Sequence, residues 1–316
     1  MTRVAAIDCG TNSIRLLIAD CDPEAGTLVD VDRRMEIVRL GQGVDRTGEI
    51  APEAMRRTFD AAIRYAGLCD AAGVSAVRFV ATSASRDARN RDEFVAGIRS
   101  IFGVEPEVVA GSEEAGLSFT GATGGLPAGQ APPFLVVDLG GGSTEVVLGE
   151  EKVEAALSVD IGCVRLTERH LRNDPPSSAE LAAARADIEA AFDRVAAVVP
   201  LERTRTLVGL AGSVTTVTAR ALGLPGYDPA AIHGATLPVG DVLAACDELI
   251  AMPRAERAEL PYMHPGRIDV IGAGALVWRE LVERVAAVAG LTDVVTSEHD
   301  ILDGIAWSLA RPSTER

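Results

Sequence analysis

Residues 134–149 read Phe-Leu-Val-Val-Asp-Leu-Gly-Gly-Gly-Ser-Thr-Glu-Val-Val-Leu-Gly, and residues 4–20 follow the same grammar. In each, a short apolar run with the pattern of a buried strand leads to an aspartate. A turn of glycine and small polar residues comes next, and then a second apolar run begins. Asp8 and Asp138 stand 130 residues apart. Two strand–turn–strand hairpins at that separation point to duplicated α/β halves facing each other across a cleft.

The turns Gly10-Thr11-Asn12-Ser13 and Gly140-Gly141-Gly142-Ser143 are almost bare backbone. Consecutive N–H groups in such a turn can converge on a phosphate, and glycine lets that phosphate approach closely. Ser143 and Thr144 add hydroxyl donors, while Asp138 and Glu145 add carboxylates able to hold a hydrated divalent cation. A lone Gly-Gly-Gly describes many ordinary hairpins; the second copy favours phosphate. No Gly-x-x-x-x-Gly-Lys-Ser/Thr occurs, so the P-loop arrangement is excluded.

Between the hairpins, strand and helix patterns alternate with short connections, the arrangement of an α/β domain. Pro52 suits a first helical position, and Met55, Phe59, Ala62, Ile63 and Ala66 share one face of a helix over 53–72. Residues 29–40 have strand character, and 77–81 form another buried strand. Residues 124–133, rich in glycine and proline, form the clearest linker, which sets domains of 1–125 and 126–316. In the second, a helix-start stretch at 174–178 leads into an Ala-rich helix over 179–199, and 301–309 form a final helix.

The totals exclude several classes. Net charge is −16, which argues against broad binding to nucleic acid or to an anionic membrane. No apolar run reaches the roughly 20 residues that span a bilayer, and the start enters a strand without a signal-peptide pattern. Five scattered cysteines without a Cys-x-x-Cys read as reduced core thiols, which implies a cytoplasmic setting. Four scattered histidines make a His-built metal site a poor fit.

Four further places can carry chemistry, each with a plainer alternative. Arg86 follows a strand and a small-residue turn, where α/β proteins place ligands, and guanidinium binds phosphate oxygens bidentately. It is equally a solvated arginine at a helix start. In Gly111-Ser112-Glu113-Glu114, Ser112 reads as an N-cap, and both glutamates complement the helix dipole. Gly212 and Ser213 lie in a third glycine turn after a strand, which close strand–helix packing would also explain. Arg267, two residues before Asp269, is either an anion contact or half of a structural ion pair.

The two aspartate–glycine hairpins resemble the phosphate loops of the actin-like (ribonuclease H-like) ATPase superfamily. Asp-Cys-Gly-Thr-Asn-Ser at 8–13 and Asp-Leu-Gly-Gly-Gly-Ser-Thr-Glu at 138–145 are similar, more narrowly, to the exopolyphosphatase/guanosine pentaphosphate phosphatase family. So are Ala81-Thr82-Ser83-Ala84-Ser85-Arg86, Gly111-Ser112-Glu113-Glu114-Ala115, residues 162–168 and residues 267–274; together the matches cover about 4–304. Longer relatives in that family carry further C-terminal helical domains.

The resemblance implies two actin-like α/β domains across an interdomain cleft. It implies Mg²⁺-dependent hydrolysis of the terminal phosphoryl group of inorganic polyphosphate. Gly10, Thr11, Asn12, Ser13, Gly140, Gly141, Gly142 and Ser143 would then hold phosphate, with Gly212, Ser213 and Arg267 as further contacts. Asp138 and Glu145, joined by Asp8, would position Mg²⁺. Arg86 would neutralise the transferred group, and Glu114 would aim the attacking water. Residues 162–168 read as mainly architectural. A homodimer is also implied. The rivals are a guanosine pentaphosphate 5′-phosphatase, an actin-like small-molecule kinase and a non-enzymatic assembly protein.

Overall fold

Strand β1 (Thr2–Cys9) is covered on both faces, which explains why it reads as an unbroken apolar run. Ala5, Ile7 and Cys9 point into one core cluster, while Val4 and Ala6 point into another. The computed structural model describes residues 1–310 of this chain. They form two units: residues 1–121 with the C-terminal helix, and residues 122–300.

In the first unit β1 pairs antiparallel with β2 (Ser13–Asp22), which pairs with β3 (Thr27–Ile37). On its other side β1 pairs in parallel with β4 (Ala76–Ala81), and β5 (Glu107–Val108) closes the order β3-β2-β1-β4-β5. The helices are α1 (Val44–Thr47), α2 (Pro52–Ala72), α3 (Ser83–Asp87), α4 (Arg91–Phe102) and α5 (Gly111–Gly124), the unit boundary falling within α5. Pro52 is the first residue of α2, where its missing N–H costs nothing. Met55, Ala62 and Tyr65 of α2, with Phe94 and Ile98 of α4, cover Ile7, Ile14 and Leu16. Each fully buried Ile, Leu or Phe there contributes roughly 1.5–3 kcal/mol. Strand β3 stops at Ile37, short of residue 40, because the Val38 and Arg39 N–H groups turn to the Asn12 carbonyl.

The second unit repeats the plan. β6 (Phe134–Leu139), β7 (Thr144–Gly149) and β8 (Val153–Val159) form the antiparallel meander, and β9 (Thr206–Leu210) joins β6 in parallel. β10 (Thr236–Pro238) and β11 (Asp293–Thr296) complete the order β10-β11-β9-β6-β7-β8. Read from β8, it matches the first sheet strand for strand, with β10 as an added edge. Helices α6 (Cys163–His170), α7 (Ser178–Val198), α8 (Ala211–Ala221), α9 (Pro229–Ile232), α10 (Val239–Ala251), α11 (Arg254–Ala258) and α12 (Ile271–Ala289) surround it. Trp278 of α12 is the largest fully buried side chain, and Gly209 makes room for it: a Cβ there would lie 2.6 Å from the indole.

The last helix, α13 (Ile301–Ala310), belongs with the first unit, not with the expected domain 126–316. Its Ile301, Leu302, Ile305 and Ala306 cover Val4, Ala6, Leu17 and Val80, the sheet face opposite α2. Gly304 lets α13 run against the Leu117 carbonyl of α5. Residues 311–316 of that expected domain lie outside the described residues. No helix among the described residues is long and apolar enough to cross a membrane.

Helix α7 begins with a complete capping box. Ser177 Oγ accepts from the Glu180 N–H, and the Glu180 carboxylate accepts from the N–H groups of Ser177 (2.8 Å), Arg172 (2.9 Å) and Asn173 (3.1 Å). The Ser177 amide above all holds the Glu180 carboxyl down at about 2, from an ordinary 4.5. A carboxyl lowered by folding stabilises fully above its unfolded value and loses that contribution as pH falls through its folded one. Glu180→Gln should therefore lower the melting temperature at neutral pH but leave it near wild type at about pH 2, read by circular dichroism. Ser177→Ala should cost about 0.5–2 kcal/mol in urea unfolding.

Candidate functional site

The two hairpins are superimposable in register. Asp8 opposes Arg15 and Cys9 opposes Ile14; 130 residues on, Asp138 opposes Glu145 and Leu139 opposes Thr144. The same bond closes each turn, from Gly10 N–H to Ser13 O (2.9 Å) and from Gly140 N–H to Ser143 O (3.0 Å). None of these turn glycines has a positive φ. Gly140 instead serves close packing, since a Cβ there would sit 3.0 Å from the Ser143 carbonyl oxygen.

In the first unit, Asp8 Oδ2 accepts from Arg15 Nε (2.9 Å) and Nη2 (2.7 Å). The turn's Thr11 hydroxyl bonds Ser83 Oγ at 2.8 Å, which ties it to the start of α3. Arg86, near the end of α3, uses a single nitrogen: Nη1 donates to Val109 O (3.0 Å) and Glu114 Oε2 (3.1 Å). Its Nε and Nη2 groups have no acceptor among the described residues. Arg86 is therefore no solvated surface arginine; its side chain is 25% exposed against 70% for Arg89 nearby.

Glu113 and Glu114, adjacent in sequence, part company on α5. Glu114 is buried beside Arg86, whereas Glu113 binds Arg78 at 2.7 Å, alongside Glu107. Ser112 is not the N-cap. The N–H groups of Glu113 and Glu114 both reach Ala110 O at 3.0 Å, so the helix already includes Gly111 and Ser112.

In the second unit, the turn packs on the start of α6. Gly140 O accepts from Cys163 N–H (3.0 Å), and Gly141 O from the N–H groups of Val164 (2.9 Å) and Arg165 (3.1 Å). Gly142 O accepts from Arg165 Nε (2.6 Å). The Gly141, Gly142 and Ser143 N–H groups have no acceptor among the described residues. Asp138 and Glu145, both buried, project from directly opposed positions and so share a sheet face. Ser158 Oγ donates to Glu145 Oε1 at 2.6 Å.

Asp138 and Glu145 set two carboxylates side by side on one sheet face, and a divalent cation can bridge such a pair. Among the described residues no group of three or more His, Cys, Asp or Glu side chains could hold a metal by itself. The donor set fits Mg²⁺, which is usually bound through one or two carboxylates, with water and substrate oxygens completing its shell.

At the third turn, Ala211 takes a positive φ of 67°, a strained conformation for a residue with a Cβ. The Arg267 guanidinium lies where a Cβ on Gly212 would be, and Nη1 reaches Thr216 Oγ1 at 3.5 Å. Among the described residues Arg267 makes no ion pair, so the Arg267–Asp269 pair does not form. The Ser213 and Cys163 side chains both pack against Gly274, and the Cys163 amide bonds Gly140 O, which links this turn to the Gly140–Ser143 turn through α6. Burial pushes the Cys163 thiol up, leaving it an unreactive packing group.

The structure thus brings Arg86 to Glu114 in one unit, and Asp138, Glu145 and the Gly140–Ser143 turn together in the other. Sequence reasoning missed Arg15, Ser83, Ser158 and Arg165. Arg15 was legible, because it stands seven residues after Asp8, as Glu145 does after Asp138.

Two sheets of one topology, each opening with an aspartate-bearing hairpin, define a two-domain protein of the actin-like α/β class. The chain belongs to the Ppx/GppA phosphatase family, whose model matches residues 17–308. It is 54% identical to Exopolyphosphatase 2 of Mycobacterium tuberculosis, over 98% of this chain and 99% of that protein. It is 35% identical to a guanosine-5′-triphosphate,3′-diphosphate pyrophosphatase of Photobacterium profundum, over 54% of this chain and 33% of that protein. Among solved structures, the Aquifex aeolicus PPX-GPPA enzyme superimposes with a TM-score of 0.77 at 31% identity, covering 97% of this chain and 99% of that one.

If the unused Arg86 donors receive anions, orthophosphate should raise the melting temperature of the wild type and less so that of Arg86→Gln. Arg89→Gln should respond as wild type in the same calorimetric titration.

Proposed function

We propose that this protein is an exopolyphosphatase, a phosphoanhydride hydrolase that releases orthophosphate from the end of inorganic polyphosphate. One observation carries the reading: three successive N–H groups without an acceptor stand on the hairpin that also presents two buried carboxylates. Amides want an anion and carboxylates a cation, so a phosphate with its divalent counter-ion satisfies both.

In this reading water attacks the terminal phosphorus. The new P–O bond forms as the bridging P–O bond breaks, and the shortened chain leaves with the bridging oxygen. Phosphoryl transfer is loose, so catalysis is mostly positioning and charge stabilisation. Glu114 orients the water and accepts its proton, and Arg86, through Nε and Nη2, meets the oxygens of the transferred group. The amides of Gly141–Ser143 hold phosphate oxygens, with the Gly10–Ser13 turn, Gly212, Ser213 and Arg267 as further contacts. Asp138 and Glu145 would hold Mg²⁺, which supplies charge neutralisation to the phosphate oxygens. Asp8, already engaged by Arg15, takes a water-mediated part.

Guanosine pentaphosphate is the second candidate substrate, because amides and arginines read the terminal phosphate and not the remainder of the molecule. The named pyrophosphatase relative supports keeping it as the lesser reading. A homodimer is proposed from the family resemblance. The cytoplasmic setting is supported by five buried free thiols.

The test is phosphate release from polyphosphate, guanosine pentaphosphate and ATP in buffer without an acceptor. Wild type should turn over polyphosphate fastest, lose activity in EDTA and regain it with Mg²⁺. Glu114→Gln should lose about 10²–10⁴-fold in kcat, the usual worth of a positioned base. Phosphate release only when an acceptor is added would point to the kinase instead, and wild-type turnover by Glu114→Gln would remove Glu114 from the chemistry.

A further inference from the structure

The peptide units joining residues 140–143 are trans, the cis bonds lying at Pro132-Pro133 and Asp174-Pro175. In a trans unit the C=O of one residue and the N–H of the next point in opposite directions. All three carbonyls of this turn are held by α6: Gly140 O by the Cys163 amide, Gly141 O by those of Val164 and Arg165, Gly142 O by the Arg165 side chain. Each peptide plane is pinned by its acceptor edge. The donor edges, the N–H groups of Gly141, Gly142 and Ser143, are consequently turned together away from α6.

Two details show that the contact is specific. Gly162, next before α6, has an extended φ of −158°, which any residue adopts, so its role lies in the room it leaves. A Cβ there would overlap the Gly141 carbonyl and lie 2.6 Å from the Gly142 nitrogen. The Arg165 bond is short at 2.6 Å and charge-assisted. By polarising the Gly142 carbonyl it strengthens the Ser143 N–H, which belongs to the same peptide unit, as a donor. In the first unit the corresponding carbonyls of Thr11 and Asn12 accept from the amides of Gly41, Val38 and Arg39.

We propose that Arg165 is a positioning residue of the phosphate site: with the first turn of α6 it aims and strengthens the amide donors of Gly141–Ser143 that receive the substrate's phosphate. The residue acts through the backbone and not by touching the reacting atoms. This inference rests on the phosphate reading of the hairpin proposed above.

The test uses Arg165→Met, Arg165→Lys and, as a control, Arg172→Met at an exposed position. Melting temperature and circular dichroism report folding, polyphosphate kinetics report kcat and KM, and ¹H–¹⁵N spectra follow the Gly141–Ser143 amides while orthophosphate is added. Arg165→Met should stay folded, lose about 10–100-fold in kcat/KM, the worth of a hydrogen bond to a charged group, and lose much of the phosphate-induced shift at Ser143. Arg165→Lys, which keeps a cation without the planar N–H, should recover part of both and carries the test if Arg165→Met unfolds. Arg172→Met should match wild type. Wild-type kcat/KM together with an unchanged Ser143 shift in a folded Arg165 variant would overturn the proposal. Should the wild type hydrolyse no polyphosphate, the orthophosphate titration still decides the role of Arg165 separately from the proposed activity.

Discussion

A peptide unit carries its acceptor on one edge and its donor on the other, and whatever holds the first aims the second. Both hairpin turns exploit this. The Thr11 and Asn12 carbonyls accept from residues 38–41, and the Gly140, Gly141 and Gly142 carbonyls are held by α6. Oriented amides offer partial positive charge without altering the net charge of −16, so an acidic protein can present donors to a polyanion. That reconciles the acidic total with the proposed phosphate site.

The two units share one sheet order and differ in charge at one register position of the hairpin. Opposite the hairpin aspartate stands Arg15 in the first unit and Glu145 in the second. The first pair neutralises itself through two bonds to Asp8 Oδ2. The second sets two carboxylates in opposed register beside a turn with three amides turned outward. One hairpin register therefore carries an arginine–aspartate pair in the first unit and a pair of carboxylates in the second.

Helix α5 shows how little sequence distance separates structure from chemistry. Successive helical residues are rotated by about 100°, so Glu113 and Glu114 meet different surroundings. Glu113 joins an arginine–glutamate network with Arg78 and Glu107, while Glu114 turns inward to Arg86. Arg86 in turn is anchored by the Val109 carbonyl, which leaves two of its nitrogens for other work.

Local signals along the chain settle the α/β class, the two hairpins and most helix positions. Strand periodicity, glycine turns and the Pro52 and Ser177 starts are local signals, readable wherever neighbours in the chain decide the conformation. The sequence also marked Arg86 and Glu114 as candidates, but not that they bind each other, because their meeting depends on β4 and β5 lying side by side. Packing between distant segments decided that α13 returns to the first sheet and that Arg165 reaches the Gly142 carbonyl. Each of these is set by a contact between segments distant in the chain, and such contacts leave no mark on local composition or period.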